Sequence, residues 1–266
     1  MKAILKEAYE YMNDYIHSFY SEDQDEMLGI KTKEEHTAYV TKNARDLALH
    51  LKLGEHDVDL AELIGLLHDI GRFRQWQVYH TFVDKNSEDH ASLGLKVILE
   101  LPFFKKLSAD EQEIILFAIG NHNKKEIVKT KSAKKLLYAK IIRDADKLDI
   151  YRVLEPYLDA KVEFGLKLRF NPVPNDDRFA PGFLEKFIRG EQVDYRLIET
   201  QNDRKLVRLM WAYDVNFSWA MQKINERGHL EKIISCLPKL PEVEQGVARL
   251  RKYVEAKCSA QDLADL

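Results

Sequence analysis

Apolar residues recur every three to four positions along most of the chain, which predicts amphipathic helices and gives little sign of strands. The first helix is expected at residues 2–20, with a buried face formed by Leu5, Ala8, Tyr9, Met12, Ile16 and Phe19. An acidic stretch at residues 21–26 ends it. Thr32 is expected as the N-cap of a second helix, which runs to about Leu51.

A third helix is expected from about Asp57 to the doublet His68–Asp69, where an apolar run ends. No clear period survives in residues 74–89, so this segment is expected to be a long functional loop. The helical pattern resumes at His90 and stops before Pro102, which cannot continue a helix.

Ser108 opens a capping box, and the helix that follows is expected to run toward His122. A lysine-rich connection at residues 124–135 leads to another helix. One face of that helix carries Leu137, Ile141, Asp144 and Leu148, and another carries Ala139, Ile142 and Asp146. Residues 171–182 contain several prolines and are expected to form an inserted loop.

One long helix is expected from Asp203 to about Asn225, and a last helix at residues 242–262. The aromatic side chains of the long helix are assigned to the core, with a homodimer contact left open as the alternative: Trp211, Tyr213, Phe217 and Trp219. The pattern therefore predicts an all-α fold, a compact helical bundle with additional C-terminal helices, in one domain spanning residues 1–266.

Composition narrows the class of partner. The 266 residues carry a formal net charge of -3, so no global basic field points to long nucleic acid or to an anionic membrane. No run of about 18 apolar residues occurs, and the first residues lack the apolar core of a signal peptide. The two cysteines, Cys236 and Cys258, form no pairing motif. A soluble cytoplasmic protein is expected.

The candidate chemistry centres on His68–Asp69, because a carboxylate at the end of an apolar helix is costly to bury without a cation. Further imidazoles and carboxylates lie on inward faces or at helix ends: His36, His90, His122 and Asp144. Such a set suits one or two divalent transition metal ions, Fe, Mn, Zn, Ni or Co, better than Ca or Mg. Asp69 is the candidate bridge between two ions.

This order of residues resembles the HD-domain superfamily of metal-dependent phosphohydrolases, whose signature is a histidine, a His-Asp doublet and a later aspartate. His36, His68, Asp69 and Asp144 match that signature. His90 and His122 resemble the extra histidines of the subset that binds two metals. The resemblance implies an HD-like metal core at about residues 33–155, followed by a C-terminal helical extension at about 156–266.

Asp144 is preferred to Asp146 as the last ligand, although either aspartate could face inward. Arg72 is the candidate for holding a substrate phosphate and, with Asp69, for catalysis. Lys125 and Lys147 are weaker phosphate candidates, since lysines are usually solvated. The second doublet, His56–Asp57, lacks an apolar lead-in and is assigned to a solvated helix cap, because aspartate is favoured at N-caps.

The leading hypothesis is hydrolysis of a small-molecule phosphate ester, such as a nucleotide, by a metal-activated water. Two alternatives stay open. One is a di-iron oxygenase, because some HD-fold enzymes with the same ligand set activate dioxygen. The other is a non-catalytic nucleotide-sensing module. The identity of the substrate depends on the loops and is not predicted.

Overall fold

The computed structural model describes residues 1–158, 173–175 and 177–262. Every regular element in these ranges is an α- or 3₁₀-helix, which confirms the all-α class. Among these residues, no helix has both the length and the apolarity that a membrane span requires. Two compact units are distinguished, one covering Met1–Asp149 and the other drawn from residues 150–262. A single domain with a metal core and a C-terminal extension stays a prediction.

The first unit contains six complete helices and most of a seventh: α1 (Lys2–His17), α2 (Gln24–His50), α3 (Glu55–Leu67), α4 (Ile70–Tyr79), α5 (His90–Glu100), α6 (Ala109–Asn121) and α7 (Ala133–Leu154). Helices α2 and α3 pack against each other over an extensive contact. Gly65 permits this approach, because a Cβ there would lie 2.8 Å from the Cα of Thr41. The close crossing brings the C-terminal end of α3 beside α2, which positions His68.

Helix α2 begins at Gln24, so the expected start at Thr32 is wrong. Asp23 is the N-cap, and its carboxylate accepts hydrogen bonds from the backbone N–H groups of Asp25 and Glu26. The hydroxyl of Thr32 instead donates to the carbonyl of Leu28, 2.7 Å away. A threonine that bonds back to the preceding turn is accommodated inside a helix, so its capping preference is not used.

The chain breaks between α3 and α4 at Asp69, whose φ and ψ are -107° and 16°. Helix α4 then runs to Tyr79, so the expected loop at residues 74–89 is shorter than predicted. It begins at His80, in the left-handed region at φ 49°, and contains a 3₁₀ turn at Asp84–Asn86. The loop leads directly into α5, whose first residue is His90.

The second unit contains α8 (Phe183–Arg189), α9 (Gln201–Met210), α10 (Ser218–Glu226), α11 (His229–Ser235) and α12 (Pro241–Cys258). The long helix predicted at Asp203–Asn225 is therefore two helices, separated by a 3₁₀ turn and extended backbone. The carboxylate of Asp262 accepts hydrogen bonds from the N–H groups of Ser218 and Trp219, which stabilises the new N-terminus. Part of the predicted insertion, residues 171–172 and 176, lies outside the described residues.

Candidate metal centre

Four buried imidazoles from four helices meet at one place in the first unit. His36 comes from α2, His68 follows the last residue of α3, His90 opens α5 and His122 follows α6. All four are less than 7% exposed. Their Nε2 atoms form two close pairs, 3.3 Å apart for His36 and His68 and 3.0 Å apart for His90 and His122.

Two of the imidazoles are oriented by backbone carbonyls at a helix end. Nδ1 of His68 lies 2.7 Å from the carbonyl oxygen of Gly65, and Nδ1 of His122 lies 2.7 Å from that of Ile119. A carbonyl only accepts, so each Nδ1 carries the proton and donates it. Nε2 is then the unprotonated nitrogen, which is the form that binds a metal ion.

The other two imidazoles are oriented by carboxylates. Asp149 Oδ2 lies 2.7 Å from Nδ1 of His36, and Asp84 Oδ2 lies 2.7 Å from Nδ1 of His90. A carboxylate that accepts from Nδ1 fixes the ring and raises its basicity as a ligand. Neither Asp149 nor Asp84 was assigned this role from the sequence.

Asp69 lies between the two imidazole pairs, and its two oxygens face different pairs. Oδ2 is 3.6 Å from Nε2 of His36 and 3.8 Å from that of His68. Oδ1 is 3.6 Å from Nε2 of His90 and 3.8 Å from that of His122. Asp69 is thus the carboxylate common to two groups of candidate donors.

Asp146, and not Asp144, supplies the last carboxylate of the cluster, which corrects the preference expressed for Asp144. Asp146 Oδ1 lies 3.1 Å from Nε2 of His36 and 3.9 Å from that of His68. Asp144 is fully buried. Residues two apart on a helix point about 200° apart, so the two side chains leave α7 in nearly opposite directions.

The pKa shifts favour a neutral imidazole at His68 and His90. Burial lowers the pKa of His68 to about 4. Burial, together with the positive charge of the nearby Arg72, also lowers the pKa of His90 to about 4. At His36, burial and Lys33 lower the pKa, but the hydrogen bonds to Asp146 and Asp149 outweigh them and raise it. Burial raises the pKa of Asp69, but the Lys33 ammonium and His68 outweigh it, so that pKa is held well below its usual range. Asp69 is therefore an ionised ligand.

The donor set fits metal binding. Two donors on one ion at about 2.1 Å lie about 3.0–3.4 Å apart in octahedral or tetrahedral geometry. The separations within the two imidazole pairs, 3.3 and 3.0 Å, match this range. Two groups of three residues each place their donor atoms within 4.8 Å of one another. The first group is His36, His68 and Asp69, and the second is Asp69, His90 and His122, so both contain Asp69.

Lys33, which was not predicted from the sequence to be a site residue, also contacts Asp69. Lys33 lies one turn before His36 on α2, and its ammonium donates to Asp69 Oδ2 at 2.7 Å. Its side chain is 20% exposed. Burial lowers its pKa, against the opposing effect of Asp69. Its position three residues before His36 could have indicated from the sequence that it lies near the centre, because this spacing places both residues on one helix face.

Arg72 lies beside the centre, but its guanidinium holds the loop that precedes α5. Nη1 donates to Gln75 Oε1 at 2.7 Å, to the carbonyl of Phe82 at 2.7 Å and to Asp84 Oδ1 at 2.8 Å. Nε lies 3.7 Å from Asp69 Oδ1. Through Asp84, Arg72 is thus connected to His90, and its contact with a substrate stays a prediction.

The two lysines proposed as phosphate ligands occupy different surroundings. Lys125 is exposed in the segment after α6. Lys147 is half-buried and directly follows Asp146 on α7. Their substrate roles stay predictions.

Arg143 fixes the backbone that follows His122. Its guanidinium donates to the carbonyls of Asn121, at 3.1 Å, and of Lys124 and Lys125. Asn121 is the last residue of α6, where helix geometry leaves carbonyl acceptors without intrahelical donors, and the other two carbonyls lie in the turn that follows. The buried cation therefore stabilises the turn that carries His122.

Gly71 brings α5 against α4. A Cβ at Gly71 would lie 2.3 Å from the carbonyl oxygen of His90 and 2.4 Å from the backbone N of Gly94. Gly71 lies within α4, and the break in the chain falls before it, at Asp69. Its role is close packing, which places His90 next to the doublet.

The second doublet lies apart from the cluster, in the first turn of α3. His56 is exposed, and its Nε2 lies 3.0 Å from Glu111 Oε1. Asp57 accepts a hydrogen bond from the hydroxyl of Tyr138 at 2.8 Å. The helix is capped by Gly54, so Asp57 is a first-turn residue and not the cap.

Comparison with known proteins identifies the segment that carries the centre. Residues 34–151 match the family model described as HD domain. That range contains all four imidazoles, Asp69, Asp146 and the partners Asp84 and Asp149. No curated protein and no solved structure matches the chain.

Proposed function

We propose that this chain, whose residues 34–151 match the family model described as HD domain, is a member of the HD-domain superfamily of metal-dependent phosphohydrolases and hydrolyses a small-molecule phosphate ester, such as a nucleotide. The observation that carries the proposal is Asp69, whose two oxygens face two separate pairs of imidazole Nε2 atoms. These residues would hold two divalent ions, and such ions would supply a water of lowered pKa and offset charge on phosphoryl oxygens.

The residues divide into two ligand sets that share Asp69. His36, His68 and Asp146 would hold one ion, and His90 and His122 the other. Asp149 and Asp84 keep the imidazoles of His36 and His90 oriented through Nδ1. Asp69 would also accept a hydrogen bond from the attacking water and orient it.

Cations near the centre support an anionic substrate. Lys33 and Arg72 lie beside different oxygens of Asp69. Nζ of Lys33 is 2.7 Å from Oδ2, and Nε of Arg72 is 3.7 Å from Oδ1. Cationic side chains beside a partly buried metal centre favour a phosphate over a neutral substrate. Lys125 and Lys147 remain candidates for more distant parts of the substrate.

The test is an assay of phosphate release. The purified protein is freed of metal, reloaded separately with Mn²⁺, Fe²⁺, Zn²⁺, Ni²⁺ or Co²⁺, and incubated with nucleoside mono-, di- and triphosphates, cyclic dinucleotides and p-nitrophenyl phosphate. We expect ion-dependent cleavage of at least one of them. Asp69→Asn should abolish it, and Asp46→Asn on the exposed side of α2 should not.

Two results would contradict the proposal. One is the absence of cleavage in every metal form across the panel. The other is consumption of dioxygen by the Fe²⁺ form without phosphate release, which would favour a di-iron oxygenase on the same ligand set.

A further inference from the structure

Lys33 is a half-buried cation in contact with the carboxylate at the middle of the centre. Its ammonium has three N–H donors. Within the part of the chain that the structure describes, the one acceptor it reaches is Asp69 Oδ2, 2.7 Å away. Two donors are thus left for other acceptors, and the side chain is 20% exposed, so solvent or a ligand can approach them.

Arg72, the other cation beside Asp69, is less available for a ligand. Three acceptors already bind its Nη1, and they belong to Gln75, Phe82 and Asp84. Turning this guanidinium toward a substrate would release the loop at Asp84 and with it the support of His90. Only its Nε and Nη2 can therefore serve a ligand, and only from the position in which Nη1 is held; Nε makes no hydrogen bond among the described residues. The ammonium of Lys33 is not held by a loop and can bind an anion without disturbing the ligands.

The surroundings of Lys33 strengthen its attraction for an anion. The Phe82 ring centroid lies 5.8 Å from its Nζ, and Phe82 stacks on Trp76 with ring centroids 4.8 Å apart. Both aromatic side chains are buried. An apolar wall on one side reduces solvent screening, so a charge pair formed there is stronger than one at the open surface.

We propose that Lys33 is a substrate-binding residue, whose ammonium donates to a phosphoryl oxygen while keeping its hydrogen bond to Asp69. The inference rests on the proposed function and adds to it the residue that places the phosphate next to the bridging carboxylate. Asp69 Oδ2 can hold Lys33 and an ion together, because each carboxylate oxygen has two lone pairs.

The experiment measures binding of inorganic phosphate, which needs no turnover. Wild type, Lys33→Met and Lys33→Arg are loaded with Mn²⁺, and isothermal titration calorimetry gives the phosphate affinity of each. Lys42→Met is the matched control, since Lys42 lies on the same helix with a side chain that is 68% exposed and pairs with Asp46. Bound metal and Tm are recorded for every variant.

We expect Lys33→Met to weaken phosphate binding roughly ten- to a hundredfold, the size of a lost charge-assisted hydrogen bond. Lys33→Arg should recover part of the affinity, and Lys42→Met should bind as wild type does. Metal content should not change. In turnover, KM should rise more than kcat falls, because the contact is made in the bound substrate as well.

The proposal is overturned if Lys33→Met binds phosphate within about twofold of wild type, well below the loss that a charged hydrogen bond implies. It is also overturned if the variant loses metal in parallel with phosphate, since Lys33 would then act only by positioning Asp69. A wild type that binds phosphate through Lys33 but cleaves no ester would refute the proposed function and leave this inference standing.

Discussion

At the scale of single residues, the centre depends on what holds Nδ1 of each imidazole. Carbonyls hold His68 and His122, and carboxylates hold His36 and His90. The rings therefore present Nε2 to the centre before any ion arrives. Pre-orientation of this kind lowers the entropy lost when a ligand set closes on a metal.

Asp149 should govern metal affinity without being a ligand. Asp149→Asn removes the charge that supports His36 but leaves a side chain of the same shape, so we expect metal affinity to fall about 10- to 100-fold. Competition with a chelating dye measures it. Asp46→Asn is the control, and an affinity that equals that of wild type would show that Asp149 plays no part in metal binding.

The choice between the two aspartates of α7 can be made in the same way. Asp146→Asn should lose the ion held with His36 and His68, because its Oδ1 lies 3.1 Å from Nε2 of His36. Asp144→Asn should keep that ion in the folded fraction. Elemental analysis of the two purified variants gives the metal content, and the opposite ranking would restore Asp144 as the ligand.

At the scale of elements, the helical pattern could predict where imidazoles would sit but not which face of α7 is functional. His68, His90 and His122 lie at helix ends, and at these three ends the apolar pattern agrees with the structure. On α7, however, residues on several faces are buried, among them Leu137, Ala139, Ile141, Ile142 and Leu148. A helix buried on all sides has no polar face to mark its direction, so Asp144 and Asp146 could not be separated.

Other contacts were out of reach because they join distant parts of the chain. Lys33 meets Asp69 across 36 positions, and His36 meets Asp149 across 113. Periodicity assigns a residue to a face and says nothing about its partner on another element. The break after α9 was missed for a similar reason, since the Asp262 carboxylate that stabilises the start of α10 comes from 44 residues away.

Even the addition of one methyl group at Gly71 should destabilise the fold. Gly71→Ala would place a Cβ 2.3 Å from a backbone oxygen of α5, and a helix backbone cannot yield as a side chain can. We expect a loss of about 1–3 kcal/mol in the free energy of unfolding, as for other overpacked sites. Urea unfolding measures it, and metal content should fall as His90 is displaced.

Gly120→Ala is the matched control for that substitution. A Cβ at Gly120 would meet only the Leu95 side chain, at 3.3 Å, which can move. Alanine in a helix interior is favoured over glycine by up to about 1 kcal/mol, so this variant should be as stable as wild type or more so. Equal stability of the two variants would show that the α4–α5 contact tolerates a side chain.

At the scale of the whole molecule, the ions should contribute to stability as well as to chemistry. The centre gathers imidazoles and carboxylates from α2, α3, α5 and α7 and from the turn after α6, so an ion links most of the first unit. At a free concentration about a hundred times its Kd, one ion adds about 2.7 kcal/mol. For a chain of this size that raises Tm by roughly 5–10 °C.

Differential scanning calorimetry before and after chelation measures this effect. Tm should fall on treatment with EDTA and recover when the ion is returned. The variant His90→Ala should show a smaller recovery than wild type, because one of its two ligand sets is incomplete. A Tm that is indifferent to chelation would mean that the cluster holds no ion under these conditions.

Anomalous scattering from crystals of the metal-loaded protein, recorded on both sides of the absorption edge of the ion, is the most direct test of a two-metal centre bridged by Asp69. We expect two peaks, one beside His36, His68 and Asp146 and the other beside His90 and His122, with Asp69 contacting both. A single peak, with His90 and His122 both more than about 5 Å from any ion when bonds to nitrogen are near 2.1 Å, would contradict it.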